Sequence, residues 1–429
     1  MLLQTTLGAS YVLAHPGGDR LHLLNASAAD LWQLYQRSDE LDEARPLVQK
    51  LIKDQGLATE VAKAYVEDLL LHWRQTGLVA ARFELPATGL TPVCDWVKTP
   101  PYLEIPQDLN TAQAMILTVK LAGLCCGVWI EDDQLAKALA VLLSSVRITG
   151  AERLAHHLVL TGTASHWQMS VNEVFEASGQ GLEDALTGVL HVLINLACQA
   201  EERLLVIHGA GLRLNNNQGL LLIAPGGSGK TTLATALNAQ GYELLSDDVV
   251  PVTLTGKLLG LGTPICLKSG SWSVLADLRP DIAEAPMFKR FNQTVRYVPP
   301  LRLNQGEDRD KNIDIDKNID IDRDRDRNID RDRNIDRDRN IDRDSMPPLP
   351  LGLLLFPRYE ANSAPHCIAL CPEEALRLII EAEAVLRNLT QAKLDALATW
   401  ISSVPAYAIT YPDLDSALAL VQQHLEAKL

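Results

Sequence analysis

The sequence predicts an α/β protein preceded by a small α+β unit, and three observations carry that prediction. Leu220 to Ile223 is an apolar run that leads through a glycine-rich loop into a helical pattern. A further strand pattern, Tyr242 to Val250, follows that helix at once, the strand–helix–strand order of a layered α/β core. Residues 1–83 carry two short strand patterns and three helical patterns of their own. With 429 residues, 47% of them hydrophobic, the chain can build two or three cores.

In the front unit, Tyr11-Val-Leu-Ala and Arg20-Leu-His-Leu-Leu read as strands around a Gly17-Gly18-Asp19 turn. Asn25 and Ser27 are candidate caps for a helix carrying Ala28, Leu31, Trp32 and Leu34. A second helix places Ala44, Leu47, Val48, Leu51 and Ile52 at helical spacing and ends at Gly56. A third runs from about Thr59 to Thr76, with Val61, Ala64, Tyr65, Leu69 and Trp73 inward. Gly77-Leu-Val-Ala starts a last short strand. Strands and three helices at this size make a winged-helix module. Residues 1–84 hold 11 acidic against 8 basic residues and no basic helix face, which disfavours DNA as the ligand.

Residues 84–101 contain Pro and Gly and read as a linker. Residues 102–180 predict a lobe of short strands with a helix near Asp132 to Leu143. Ala114 to Ile130 is the most apolar stretch of the chain. Lys120 interrupts it and it is short for a membrane span, so it predicts a buried strand and its neighbour.

Residues 181–429 form the core region. The segment Ala224-Pro225-Gly226-Gly227-Ser228-Gly229-Lys230-Thr231-Thr232 is a phosphate-binding loop, or P-loop, with Ala224 where the stricter pattern has Gly. The apolar run before it predicts a buried parallel strand. Gly226, Gly227 and Gly229 let the backbone curl and aim its N–H groups inward as an anion nest. Thr231, Thr232, Leu233, Ala234, Ala236 and Leu237 read as the following helix, whose N-terminus favours negative charge. Lys230 is positioned to reach the β- and γ-phosphates and the Thr231 hydroxyl to bind Mg²⁺, so the predicted ligand is Mg·ATP.

Asp247 and Asp248 follow less than twenty residues later, at the carboxyl end of the next predicted strand. Open α/β sheets bind ligands at that edge. A carboxylate so soon after the first helix suits a kinase acting on a hydroxyl, where it accepts the acceptor's proton near the metal.

His208-Gly, a strand, the loop, a helix and Leu245-Ser-Asp247-Asp248 together resemble the HPr kinase/phosphorylase family, most of all its HPr-kinase-related bacterial branch. The resemblance extends to Leu182–Asn195 before the loop, to Pro264-Ile-Cys-Leu-Lys268, to Thr294-Val-Arg-Tyr-Val-Pro-Pro300 and to Leu354-Leu-Phe-Pro-Arg358-Tyr359. It implies that Asp247 is the base, that Asp248 lies beside the metal and that His208 lines the site. A buried histidine satisfied by backbone is the alternative for His208. The parent family's Lys-Ser is Lys-Thr here, and its segment for recognising HPr is not visible. That family forms hexamers, so the resemblance also implies a homo-oligomer.

In the front unit, Leu-Asn25-x-Ser-Ala-Ala-x-Leu-Trp32, a helix, and Leu70-x-x-Trp-x-x-x-Gly77-Leu-Val resemble the PqqD-type peptide chaperones. These bind the leader segments of ribosomally made peptides as an added strand. The resemblance places a leader-binding edge between Tyr11 and Leu24. A purely structural or dimerising winged helix is the alternative.

A net charge of −15 and a pI near 5.1 exclude nucleic acid as the main partner. The N-terminus lacks a basic region and a sustained apolar stretch, so no signal peptide is predicted, and neither is a membrane partner. Seven cysteines without a Cys-x-x-Cys pair read as reduced, buried thiols of a cytoplasmic protein. Residues 307–344, within a predicted insert at 306–345, are Asn-Ile-Asp-Arg-Asp-Arg units with 15 acidic and 11 basic residues. Almost nothing there can be buried, which predicts a disordered expansion of a surface loop.

The combined expectation is a cytoplasmic kinase that phosphorylates a hydroxyl, a Ser, on a precursor peptide held by residues 1–83. Its rivals are a kinase for HPr or a small molecule, and a nucleotide-binding scaffold or sensor that transfers no phosphate.

Overall fold

The computed structural model describes residues 2–37, 44–79, 115–148, 153–200, 202–290, 293–301 and 347–426. The predicted linker 84–101 and the repeat insert 306–345 lie outside the described residues. The architecture is mixed α/β, built on four sheets among the described residues.

The front unit opens with β1 (Leu3–Leu7), β2 (Ser10–Ala14) and β3 (Leu21–Leu24), an antiparallel sheet in that order. The first strand went unread in the sequence because Leu3-Gln-Thr-Thr-Leu7 alternates only weakly. Helices α1 (Ala26–Arg37), α2 (Ala44–Gln55) and α3 (Thr59–Gln75) follow. Asn25, and not Ser27, caps α1, its Oδ1 accepting from the Ala28 amide at 2.9 Å. Gly56 and Gly77 close α2 and α3 with φ of +65° and +77°. The inward face of α3 is Ala62, Val66, Leu70 and Trp73; Val61 and Tyr65 are exposed, as is Ala64. The buried face is rotated from the expected one: Ala62, Val66 and Leu70 join Trp73 in the core shared with α1 and α2. No strand follows Gly77 among residues 77–79.

The middle lobe contains β4 (Met115–Leu121), β5 (Leu124–Ile130), α4 (Asp133–Leu142), β6 (His156–Thr163), β7 (His166–Val171), β8 (Val174–Gly179) and α5 (Leu182–Cys198). Its five strands run β4-β5-β6-β7-β8, and α4 and α5 cover one face. α4 falls where the sequence predicts a helix, near Asp132 to Leu143, and Asp132 caps it, accepting from the Leu135 amide at 2.9 Å.

The largest sheet follows. Its strands are β9 (Arg203–Ile207), β10 (Gly209–Arg213), β11 (Gly219–Ile223), β12 (Glu243–Ser246), β13 (Val250–Thr253) and β14 (Lys257–Leu258), with α6 (Lys230–Ala239) between β11 and β12. A small sheet of β15 (Ile265–Lys268), β16 (Met287–Arg290) and β17 (Gln293–Val298) packs with α7 (Ser269–Leu275). The chain returns to the large sheet with β18 (Leu349–Tyr359) and β19 (His366–Leu370). It ends with α8 (Pro372–Glu381), α9 (Gln391–Ser403), β20 (Ala406–Tyr411) and α10 (Leu414–Glu426).

β11 is parallel to β18, and β18 to β20, but β11 is antiparallel to β10, so the sheet is mixed rather than parallel throughout. Alternation along the strands sorts side chains into two cores. Leu220, Leu222, Leu353, Leu355, Ile409 and Tyr411 face α6 and α10. Leu221, Ile223, Leu354 and Phe356 face α8 and α9. The front sheet joins this second core through Leu7, Val12 and Ala14. It is thus not free-standing: β1 lies along α9, and the Gln391 side chain pairs with both backbone groups of Gln4.

Candidate functional site

The site forms at the carboxyl ends of β11 and β12. After Ile223 the chain turns through Ala224, which is buried, and the exposed Pro225, Gly226 and Gly227. Gly227 and Gly229 have φ of +83° and +89°, a conformation that L side chains rarely adopt. Gly229 is the residue before α6, and no side chain caps that helix. The first amides of α6 therefore point into the loop as unused donors at the positive end of the helix dipole.

Lys230 is buried, and its Nζ donates to the Ala224 carbonyl at 2.6 Å, folding back over the loop. Burial lowers its pKa, opposed by the nearby Asp248 and Asp247 carboxylates, with Lys268 as a further cation acting on it. Thr231 is half-buried at the first turn. The Thr232 hydroxyl pairs instead with Ser271 of α7 at 2.8 Å, so it braces the helix rather than facing the nest. The Ser228 hydroxyl is buried without a hydrogen-bond partner.

Asp247 is 5% exposed and both its carboxylate oxygens lack a well-formed hydrogen bond. Burial and the adjacent Asp248 push its pKa up to about 7. The Thr231 hydroxyl and the Cys266 and Asp248 amides lie close enough to favour the charged form, but not to offset the desolvation. Asp248 holds φ +72°, an uncommon value for a residue other than Gly. That turn aims its carboxylate at His208, whose Nδ1 lies 3.4 Å away. Burial and Lys230 lower the His208 pKa and favour the neutral ring. His208 itself lies between β9 and β10, half-buried beside Asp248.

The predicted residues thus converge, with Thr232 turned to a bracing contact and Pro225 left at the surface. Lys268 and Tyr359 stand in the sequence only within segments that resemble the kinase branch, and no local pattern marks Tyr411. Tyr411 donates to the Ser228 carbonyl at 3.4 Å, and Tyr359 stands beside it. Only the pairing of β20 with β18, far apart in sequence, brings Tyr411 there.

Among the described residues no group of three or more His, Cys, Asp or Glu could hold a metal by itself. Mg²⁺ in phosphoryl-transfer sites takes one or two protein ligands together with the phosphates. The Thr231 hydroxyl lies beside Asp247, and the Asp248 carboxylate beside His208 and near Lys230, so oxygen donors of the type Mg²⁺ takes are present at the loop. The expected burial of the thiols holds for Cys125, Cys126 and Cys198, but Cys371 is exposed at the start of α8. Among the described residues no helix is long and apolar enough to cross a membrane. No protein-family model and no curated protein matches the chain.

Proposed function

We propose that this protein is a cytoplasmic Mg·ATP-dependent kinase of the HPr-kinase-related type. It phosphorylates a serine hydroxyl on a ribosomally made precursor peptide whose leader is held by the winged-helix front unit. The observation that carries the reading is Asp247: a buried carboxylate with no good partner and a pKa near 7, beside a loop of unused amides. A general base works best with a pKa near the operating pH.

In this reading the nest and Lys230 cradle the β- and γ-phosphates. Mg²⁺, held by Thr231 and Asp248, would supply charge neutralisation between them. Asp247 accepts the acceptor hydroxyl's proton as its oxygen bonds to the γ-phosphorus. The bond to the β-phosphate oxygen breaks and ADP leaves. His208, neutral and beside Asp248, keeps that carboxylate oriented.

The front unit supports the peptide half of the proposal. Gln4 turns its backbone groups outward to Gln391. Strand alternation then points Leu13 toward β3, and the backbone groups of Leu21 and Leu23 away from the sheet. With β1 closed by α9, the outer edge of β3 is where a leader adds as a strand.

The test is intact-mass measurement of short peptides encoded beside this gene, after incubation with the protein and Mg·ATP. One added phosphoryl group, absent with Lys230→Ala, is expected. Unchanged peptide masses, with nucleotide binding intact, would favour the scaffold or another acceptor.

A further inference from the structure

The site described so far accounts for phosphates, metal and acceptor, but not for the rest of a nucleotide. We propose that Tyr359, seated on Tyr411, is the stacking surface for the base of a purine nucleoside triphosphate. This rests on the reading of the glycine-rich loop as a phosphate site.

The strand order sets the direction. β11 delivers the loop; β10 and β12, carrying the acidic pair, lie on one side of it; β18 and β20 lie on the other. A triphosphate whose γ end meets Asp247 must extend its sugar and base the opposite way along the edge, over the ends of β18 and β20. Ligands of such sheets bind in the crevice outside the carboxyl ends of parallel strands. Tyr359 and Tyr411 are paired residues at those two ends.

Both rings belong to the α6 side of the sheet. Tyr411 is in the core shared with α6 and α10, and alternation from Leu353 and Leu355 puts Tyr359 on that face. The contact with the loop is direct. A Cβ built on Gly229 would lie 3.0 Å from the Tyr411 hydroxyl and 3.9 Å from the Tyr359 Cβ. Tyr411 is 4% exposed and anchored to the Ser228 carbonyl, so it acts as a fixed floor. Tyr359 is 54% exposed, with its ring centroid 6.3 Å from that of Tyr411 at 58°. An aromatic ring held open to solvent next to an anion nest presents a π-face where a base arrives. Stacking alone tolerates either purine.

The experiment is calorimetric titration of wild type, Tyr359→Ala and Tyr359→Phe with Mg·ATP, Mg·GTP and Mg·tripolyphosphate. Tyr359→Ala should raise Kd for both nucleotides about tenfold and leave tripolyphosphate unchanged. Tyr359→Phe should bind all three within about twofold of wild type, because the ring is kept. Wild-type ATP affinity in Tyr359→Ala would overturn the proposal, as would equal losses for ATP and tripolyphosphate, which would mean a damaged loop. Wild type binding tripolyphosphate as tightly as ATP would also overturn it. These readouts need no acceptor, so failure to find a phosphorylated peptide leaves them standing. Loss of tripolyphosphate binding in wild type would sink the phosphate site itself.

Discussion

The edge of the large sheet at Asp247 and the seam between the front sheet and α8–α9 are built to opposite rules. At the seam polar groups meet across the two parts. Gln391 meets both backbone groups of Gln4, Glu373 accepts from the Ala9 amide at 3.0 Å, and the Gly17 amide donates to the Leu389 carbonyl at 2.8 Å. Between these contacts Leu7, Val12 and Ala14 share one core with Leu376 and Ile379. At the sheet edge, a carboxylate without a well-formed hydrogen bond and a hydroxyl without a partner are buried, and Asp248 is held at positive φ. Buried polar groups are nearly always bonded, so the second arrangement costs stability. The first stabilises; the second does not, and on the proposed reading it is the place where the substrates meet.

The largest effect that separates the two comes from Asp247→Asn. Losing the base should lower kcat by about 10²–10⁴-fold with nucleotide affinity retained; wild-type turnover would remove Asp247 from the mechanism. In the wild type, kcat/KM should rise with pH through about 7 as the carboxylate ionises. Stability runs the other way. The folded pKa lies above the unfolded value, so the protonated carboxyl favours the folded state below the unfolded pKa. That contribution is lost as pH rises toward 7. At pH 8 the Asn variant should therefore be more stable than wild type, by an amount of order a few kcal/mol. Denaturant melts at pH 5 and pH 8 check the sign.

The seam predicts the next largest effect. Removing residues 1–84 strips cover from Leu376 and Ile379, each worth about 1.5–3 kcal/mol when buried. Truncated protein should melt at lower temperature and self-associate in size-exclusion chromatography. A monodisperse truncation with an unchanged Tm would show that the seam holds nothing. Truncation is for the same reason a poor probe of peptide binding, and point changes at a strand edge serve better.

The two regions also differed in how far the sequence could be read. The loop, Lys230 and Asp247–Asp248 are local: spacing along one strand–helix–strand stretch suffices to bring them together. The Asp132 cap and the Gly56 stop are local in the same way. The seam joins residues nearly four hundred positions apart, such as Gln4 and Gln391, and no periodicity encodes such a partner. Tyr411 beside Ser228 and the mixed hand of the sheet around β11 are likewise set by long-range pairing. The rotated face of α3 has a different cause. Ala62 is the better fit where a helix packs closely, while Val61 and Tyr65 are large enough to mislead a count of apolar residues.

A smaller effect distinguishes the two edges of the front sheet. The Leu23 amide points outward from β3 and the Thr6 amide outward from β1, so proline at either removes no internal ladder bond. Leu23→Pro should raise KM for a leader-bearing peptide about tenfold, with little change for the same acceptor without its leader. Thr6→Pro, on an exposed position of the edge beside α9, should leave KM unchanged. Equal effects of the two substitutions, or none from Leu23→Pro, would remove β3 as the leader site.

The smallest effect tests what closes the β1 edge. Gln391 is the first residue of α9 and uses its amide on Gln4, at 3.2 Å and 2.8 Å, and on Asp395 at 3.0 Å. These bonds are exposed, so Gln391→Ala should cost only about 1 kcal/mol in denaturant melts. Its more telling consequence is at the backbone: Gln4 then presents unpaired groups on a strand edge, and such edges recruit other strands. Concentration-dependent dimerisation of the variant by analytical ultracentrifugation, absent in wild type, is the expected outcome. A variant that loses stability without associating would mean that packing of Leu7 against α9, and not the glutamine, keeps this edge shut.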